Sequence, residues 1–443
     1  MTKSKKSSSK SLKHPLSIDH IARIEGKAGI EVEYDGAEVK IVKMNVYEGP
    51  RYFEAITIGK PVEEAVAVFP RVCSFCAAAH KITAVQAAEN AIGLTPTEQT
   101  IKLRELMYLG DFIESHALHL FLLALPDYLG YPDAFQMSQD HKDIVKAGLQ
   151  LKDIGADIQT TIGSRYIHQE NALIGGFGKL PTKKSLETLA ARLTRLYNAS
   201  EEALENLVSY RNWPEVDAER VHLALQPYDG SYTMLGDTVF ASDGDKFKAD
   251  AYKIRINESV VRHSFAKHGT YNEQCFMTGA LSRYTLFGEG LSSRAKELAT
   301  MYESHLDPNN PMSNNFAQAV ELVHFVHRAE QIAETLSEEL KPYEKRIKPK
   351  ITKAGTGVSM TEAPRGLLAY TIRVDKSGKV SETDIVTPTA MFLPIVEDDL
   401  KRMASALSEQ GVSDKKIIGQ KLETVVRSYD PCVSCSVHVA DVQ

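Results

Sequence analysis

Arg71-Val-Cys-Ser-Phe-Cys-Ala-Ala-Ala-His80 near the start and Asp430-Pro-Cys-Val-Ser-Cys-Ser-Val-His438 at the end carry four of the chain's five cysteines. A Cys-x-x-Cys turn points two thiolates at one place. Thiolates are soft donors that select nickel, copper(I), zinc or iron–sulfur clusters. A compact zinc ribbon separates its two pairs by about 15–20 residues. Here nearly the whole 443-residue chain intervenes, so the complete fold must close before the four sulfurs can meet. A dithiol redox centre would need only one of the pairs. Spacing alone leaves structural zinc and the redox-active metals both open.

Between the pairs, periodicity predicts a helix-dominated α+β chain. Leu322, Phe325, Ala329, Ile332, Leu336 and Leu340 recur every three or four residues, the stripe of a long amphipathic helix. Similar spacing runs through 97–125, 136–160, 184–210 and 397–428. Strand-like alternation from Ala28 to Val46 turns at Asp35-Gly36. Leu367–Val374 and Val380–Val386 flank Ser377-Gly378, and Asp243-Gly244 marks a third, smaller hairpin. The expected architecture is a large helical core with small peripheral antiparallel β-hairpins. Gly175-Gly-Phe-Gly178 lacks the spacing and the strand–helix setting of a phosphate loop and is expected to be a turn.

Composition removes several function classes. Hydrophobic content of 43% and charged content of 25% are ordinary for a globular protein. A net charge of -6 offers no attraction to nucleic acid. Apolar stretches such as Leu118–Leu125 fall short of the roughly 20 residues that span a bilayer, so no membrane insertion of this chain is expected. Five cysteines are too few for a disulfide framework, and no secretory signal is evident, so a reducing cytoplasm is the expected compartment. Residues 1–15 are rich in Ser and Lys and read as a disordered basic tail. Cys275 has no partner in sequence and is expected to be a small buried hydrophobe.

The residues around the cysteines resemble the two signature motifs of nickel–iron hydrogenase large subunits, Arg-x-Cys-x-x-Cys-x-x-x-His and Asp-Pro-Cys-x-x-Cys-x-x-His. Arg23-Ile-Glu-Gly26, Arg51-Tyr-Phe-Glu54 and Glu362-Ala-Pro-Arg-Gly366 resemble three further family segments, all in the family's order. The likeness extends from about Ser17 to His438. It is closest to the soluble cytoplasmic branch, the alpha subunits of sulfhydrogenases that couple dihydrogen to NAD(P), on Ile18–Gly26, Glu48–Arg51, Ile113–His119 and Cys435–His438. Lys27, His168-Gln169 and Thr389-Ala-Met-Phe392 depart from the membrane-bound uptake branch.

This resemblance implies a nickel–iron hydrogenase large-subunit fold over 16–438 and assigns roles residue by residue. Cys73 and Cys432 would be terminal nickel ligands. Cys76 and Cys435 would bridge nickel to an iron carrying carbon monoxide and cyanide. Glu25 would take the first proton from Cys432, a task that suits a carboxylate whose pKa burial has raised. Arg365 would stand beside the metals as a fixed positive charge, with Asp430 pairing with it or capping the metal-binding turn. Pro388 and Thr389 would line the diatomic ligands. Glu54 and His438, with a carbonyl near Leu393, would hold magnesium (or iron) at a secondary site. His80 and His116, with His119, would support the site from behind.

Once four cysteines are used, one remains, too few for an iron–sulfur cluster, and the chain carries no nucleotide-binding fingerprint. The resemblance therefore implies an iron–sulfur small subunit, with flavin (FAD), NAD(P) and ferredoxin-like modules in further partners. It also implies nickel chaperones and a maturation endopeptidase that removes residues 439–443. Alternatives are a deazaflavin-reducing or energy-converting hydrogenase and, from another class, a zinc-stabilised non-catalytic scaffold.

Overall fold

Alternating side chains from Ala28 onward settle into a meander. In the computed structural model, which describes residues 15–49, 52–209, 213–228 and 230–437, β1 (Leu16–Ile18) pairs antiparallel with β2 (Ala28–Asp35). That strand pairs in turn with β3 (Glu38–Val46) around Asp35-Gly36. Ile30, Val32, Met44 and Val46 face the core, while Glu31 and Glu33 take the alternate, solvated positions. The expected basic tail, apart from Pro15, and the 439–443 extension lie outside the described residues.

Further along, β4 (Val221–Pro227), β5 (Gly236–Ala241) and β6 (Lys246–Lys248) run antiparallel, with Asp243-Gly244 at the last turn. A separate hairpin joins β7 (Ile256–Val260) to β8 (Lys267–Tyr271). The short β9 (Phe276–Met277) adds in parallel to β4. The last sheet is β10 (Gly355–Ala363), β11 (Gly366–Val374) and β12 (Val380–Val386), antiparallel in that order, with Ser377-Gly378 between β11 and β12. Gly175 lies in the turn of a two-residue ladder, Ala172–Leu173 with Gly176–Phe177.

The longer helices are α1 (Ala77–Ile92), α2 (Glu98–Leu118), α3 (Lys142–Gly163), α4 (Lys183–Thr194), α5 (Tyr197–Ser209), α6 (Ser313–Glu339), α7 (Pro388–Glu409) and α8 (Lys415–Ser428). The Leu322 to Leu336 stripe is buried, and α6 packs against α2, α4 and α5 at the centre of the helical layer. Helices α2 and α3 approach closely because neither has a side chain at the crossing. A Cβ on Gly155 would stand 2.6 Å from the Gly110 carbonyl oxygen. One difference from the periodic reading falls at the end of α2, which widens into a π-helical turn over His119–Ala124. Such turns re-aim side chains and gather at functional sites. Among the described residues, no helix is long and apolar enough to cross a membrane.

Two segments far apart in the sequence meet. Residues before β2 return across the molecule to the segment after α8, where Glu25 bridges Cys432 in parallel and the Val433 N–H donates to the Glu25 carbonyl at 3.0 Å. Gly26, at φ +85°, permits this approach: a Cβ there would stand 2.9 Å from both Ser434 N and Val433 Cβ. The site is thereby assembled from residues at opposite ends of the sequence.

Candidate metal centre

Each cysteine pair sits where one element stops and another begins. A short 3-10 turn, Phe69–Val72, delivers Cys73, and Cys76 stands at the N-cap of α1 with non-helical φ −129°. The second pair frames a one-turn 3-10 helix, Val433–Cys435, just after α8. All four Sγ atoms lie within 4.8 Å of one another. Cys73 and Cys432 are 3.3 Å apart, Cys76 and Cys435 3.6 Å. All four side chains are buried and none forms a disulfide.

Electrostatics explains why this cluster suits a soft metal. Burial pushes every thiol up, because a thiolate loses its hydration. Contacts among the sulfurs then divide them: Cys73 and Cys432 fall below the ordinary thiol range, whereas Cys76 and Cys435 are held well above it. Four buried sulfurs this close together repel one another as thiolates, and a soft cation would relieve that repulsion; the donor set of four convergent sulfurs fits one.

Beside the sulfurs, Arg365 is fixed by three bonds. Its Nε donates to the Asp430 carbonyl at 2.7 Å, one terminal nitrogen to Asp430 Oδ1 at 2.9 Å, and the other to Ser115 Oγ at 3.1 Å. Burial disfavours its charge. Asp430 and the sulfurs of Cys432, Cys76 and Cys73 outweigh that cost, so it stays a permanent cation. Asp430 holds φ +50°, a conformation Asp tolerates better than most residues, and its Oδ2 accepts from Gln318 Nε2 at 3.1 Å. Thr389, on the first turn of α7 after Pro388, accepts from the Cys432 N–H through Oγ1 at 3.0 Å.

Glu25 reaches the same sulfur from the other side. Cys432 Sγ lies 3.2 Å from Glu25 Oε2, the Ser434 N–H donates to Oε2 at 3.0 Å, and the Ser434 hydroxyl bonds Oε1. Burial, then the neighbouring Cys432, pushes this carboxyl up to about 8, while Ser434 pulls it back. Ser434 was not singled out from the sequence, although it occupies a variable position inside the second cysteine motif.

The histidines flank the cluster rather than join it. His80 Nδ1 meets the Tyr370 hydroxyl at 2.7 Å. His116 Nε2 lies 2.7 Å from Glu321 Oε2, and His119 spans Gln318 Oε1 and the Arg427 carbonyl at 2.6 and 2.8 Å. Behind His116 is a buried charge network: Arg283 grips Glu321 at 2.6 and 2.8 Å and Glu362 at 2.9 Å. Asp111 accepts from the N–H groups of Ala78 and Ala79 at the start of α1, and burial raises its carboxyl well above the usual range. Only Glu362 of these four lay in a segment quoted from the sequence. Glu321 left a weaker signal, an acid inside the apolar run of α6.

Of the residues expected at a secondary cation site, Glu54 and Leu393 are among those described. Glu54 Oε1 accepts from the Ile385 N–H at 2.7 Å, and burial raises its carboxyl. His438 and Arg51 lie outside the described residues. Leu393 requires correction: it is buried inside α7, where a carbonyl is committed to the helix ladder. The backbone that meets Glu54 belongs to the end of β12. Cys275 also corrects its expectation, because its side chain is exposed in the connection between β8 and β9.

The chain belongs to the nickel-dependent hydrogenase family, whose model matches residues 51–147 and 212–438. It is 47% identical over 431 residues to sulfhydrogenase 1 subunit alpha of Pyrococcus furiosus, covering 97% of this chain and 99% of that one. Sulfhydrogenase 2 subunit alpha of the same organism is 35% identical over 437 residues, at 96% and 98% coverage. The fold matches that of an NAD+-reducing NiFe-hydrogenase in the H2-reduced state, with a TM-score of 0.85, 22% identity, and 96% of this chain and all of that one covered. A Ni-Fe-Se hydrogenase from Desulfomicrobium baculatum gives 0.78 at 20% identity, with the same coverage. Membership makes this chain the catalytic large subunit of a hydrogenase, an oxidoreductase acting on dihydrogen.

Proposed function

We propose that the chain splits and forms dihydrogen reversibly, with Cys73, Cys76, Cys432 and Cys435 holding a nickel–iron centre and Glu25 carrying the proton away. The observation that carries this reading is the contact between Glu25 Oε2 and Cys432 Sγ, 3.2 Å long, inside the four-sulfur cluster. The bound centre, with carbon monoxide and cyanide on iron, supplies the two-electron chemistry. Glu25 Oε2 receives the proton from Cys432 Sγ, and Ser434 steadies the carboxylate through both its oxygens. A pKa near 8 suits a group that must both take and release protons near neutrality. Arg365 keeps a positive charge beside the sulfurs, and Asp430 and Ser115 fix its direction. Pro388 and Thr389 begin α7 against Cys432 and shape the pocket wall.

Electrons leave through an iron–sulfur small subunit, since the chain's one remaining cysteine cannot hold a cluster. The NAD+-reducing neighbour supports NAD(P) as the final acceptor, and the sulfhydrogenase relatives support sulfur reduction as a further activity; in this reading both reside in flavin-bearing and ferredoxin-like partners in the cytoplasm. Glu54 and His438 hold magnesium at the secondary site. A maturation endopeptidase removes 439–443 after nickel insertion, so the intact mass of active enzyme ends at His438. The decisive experiment measures nickel and the infrared bands of metal-bound diatomics in the native complex, together with dihydrogen-dependent NAD(P)+ reduction. One nickel per chain, with bands that vanish in Cys435→Ala, supports the reading. Zinc without such bands replaces it with a structural site, and bands without NAD(P)+ reduction move the acceptor elsewhere.

A further inference from the structure

Two histidines and a glutamate converge away from the four cysteines. His263 lies in the connection between β7 and β8, His268 lies on β8, and Glu397 lies on the face of α7 that packs against β3 and β8. His263 Nε2 is 2.8 Å from Glu397 Oε1, and His268 Nδ1 is 3.9 Å from Glu397 Oε2. The two rings stand 5.5 Å apart at 79°. One donor atom from each of the three residues lies within 4.8 Å of the other two.

A simple ion pair accounts for only part of this arrangement. Glu397 Oε1 already accepts from both His263 and the Met44 N–H, the latter at 2.8 Å. Oε2 is left facing His268 at a distance too long for a hydrogen bond. That distance suits two donors of one ion, because bonds of about 2.0–2.2 Å place neighbouring ligand atoms roughly 3–4 Å apart. His268 is only 7% exposed, and its Nε2 is buried without a partner. What favours an ion is the other nitrogen, Nδ1, which turns toward a carboxylate oxygen yet stops beyond hydrogen-bond reach, as two ligands of one cation do. Burial, then His263, lowers its pKa to about 4, keeping it in the neutral form that ligates.

We propose that His263, His268 and Glu397 form a second metal site for a zinc-type divalent cation. Two imidazoles and one carboxylate match zinc and its first-row neighbours, whereas calcium and magnesium prefer all-oxygen shells. Three protein ligands leave a position for water, and the partly exposed side chains of His263 and Glu397 let solvent reach it. The ion acts as a clip. The His263 connection is already tied to β3, through Phe265 N–H to the Val46 carbonyl at 2.9 Å and Val46 N–H to Ser264 Oγ at 3.3 Å. Ala266 also bridges Val437, two residues after Cys435. Ligation by Glu397 adds α7 to that junction, fixing the helix whose first turn contacts Cys432.

The test uses the native hydrogenase complex, dialysed against a chelator and then against zinc, with metals counted by mass spectrometry and zinc examined by X-ray absorption. One zinc per large subunit beyond the nickel and iron is expected, in a shell of nitrogen and oxygen without sulfur. His268→Gln and Glu397→Gln each lose that zinc at unchanged nickel. No zinc uptake by the wild type, a four-sulfur shell, or equal retention by both variants overturns the site. If the variants fail to fold, the chelated wild type decides: zinc raises its melting temperature by several degrees, and no shift overturns the proposal. Nickel read in the same samples tests the cysteine centre separately.

Discussion

Glu25 Oε2 lies 3.2 Å from the Sγ of Cys432, a residue 407 positions later in the sequence. The contact exists only because the segment before β2 lies parallel to the backbone at Cys432. It places the proposed proton acceptor directly against the sulfur proposed to bind metal, with no intervening group. Replacing Glu25 with Gln keeps the shape and removes the basic oxygen. The expected result is a loss of roughly 10²–10⁴-fold in dihydrogen oxidation with dye as acceptor. Nickel content and diatomic infrared bands should stay as in the wild type; a variant with full turnover would remove Glu25 from the proton route.

Arg365 is held by Asp430 through both its side chain and its carbonyl, and by Ser115. Lysine offers one point charge in place of that fork. Arg365→Lys should lower activity by about 10–100-fold, the usual cost of losing an orienting partner next to a metal. Asp430→Asn should do less, because the carbonyl bond survives. Infrared band positions provide the readout: they should move in Arg365→Lys and hold nearly still in Asp430→Asn.

His324 is arranged for the neutral imidazole. The Ser292 N–H donates to its Nδ1 at 3.0 Å and its Nε2 faces the Tyr232 carbonyl at 2.8 Å, which assigns the proton to Nε2. Burial lowers its pKa from 6.5 to about 4. A folded-state value below the unfolded one means that the unfolded chain binds the extra proton first. This contribution to stability is complete above pH 6.5 and is lost as pH falls through that window toward 4. Urea midpoints taken from pH 7 down to 4 should fall, and His324→Gln should flatten the slope; an equal slope in the variant would sink the assignment.

Gly155 has no room for a methyl group, with the Gly110 oxygen at 2.6 Å and Glu114 N at 2.7 Å from a built Cβ. Gly155→Ala should force α2 and α3 apart at a cost of about 1–3 kcal/mol. Calorimetry should show a lower melting temperature. Gly36→Ala, in a turn with nothing within 4 Å of the added carbon but a φ of +65°, serves as a control for backbone strain alone.

Much of this protein was legible before any coordinates. The Leu322 to Leu336 stripe forms α6, and Asp35-Gly36, Asp243-Gly244 and Ser377-Gly378 each turn a hairpin. Local physics explains that success, because helical spacing, strand alternation and turn residues act over a few positions. The four cysteines were legible for a different reason: soft donors in pairs have few uses, and their flanking residues restrict the chemistry further.

Failures fell where neighbours distant in sequence decide. Cys275 is apolar enough for a core, yet the β8–β9 connection carries it to the surface. The resemblance put a carbonyl near Leu393 at the expected cation site, but α7 begins at Pro388 and commits Leu393 to a helix, while Ile385 meets Glu54. Arg283, Glu321 and Glu362 join three separate segments into one buried network, and nothing within five residues of Arg283 announces it.

By itself, then, the sequence determined the elements, the turns and the four cysteines that could converge on a metal, since these depend on side-chain type and short-range spacing. The tertiary structure turned the expected pairings of Glu25 with Cys432 and of Asp430 with Arg365 into contacts, and it alone brought His263 and His268 to Glu397. Such pairings require chain closure across hundreds of residues, and burial, which sets the charge of each group, exists only once that closure is complete.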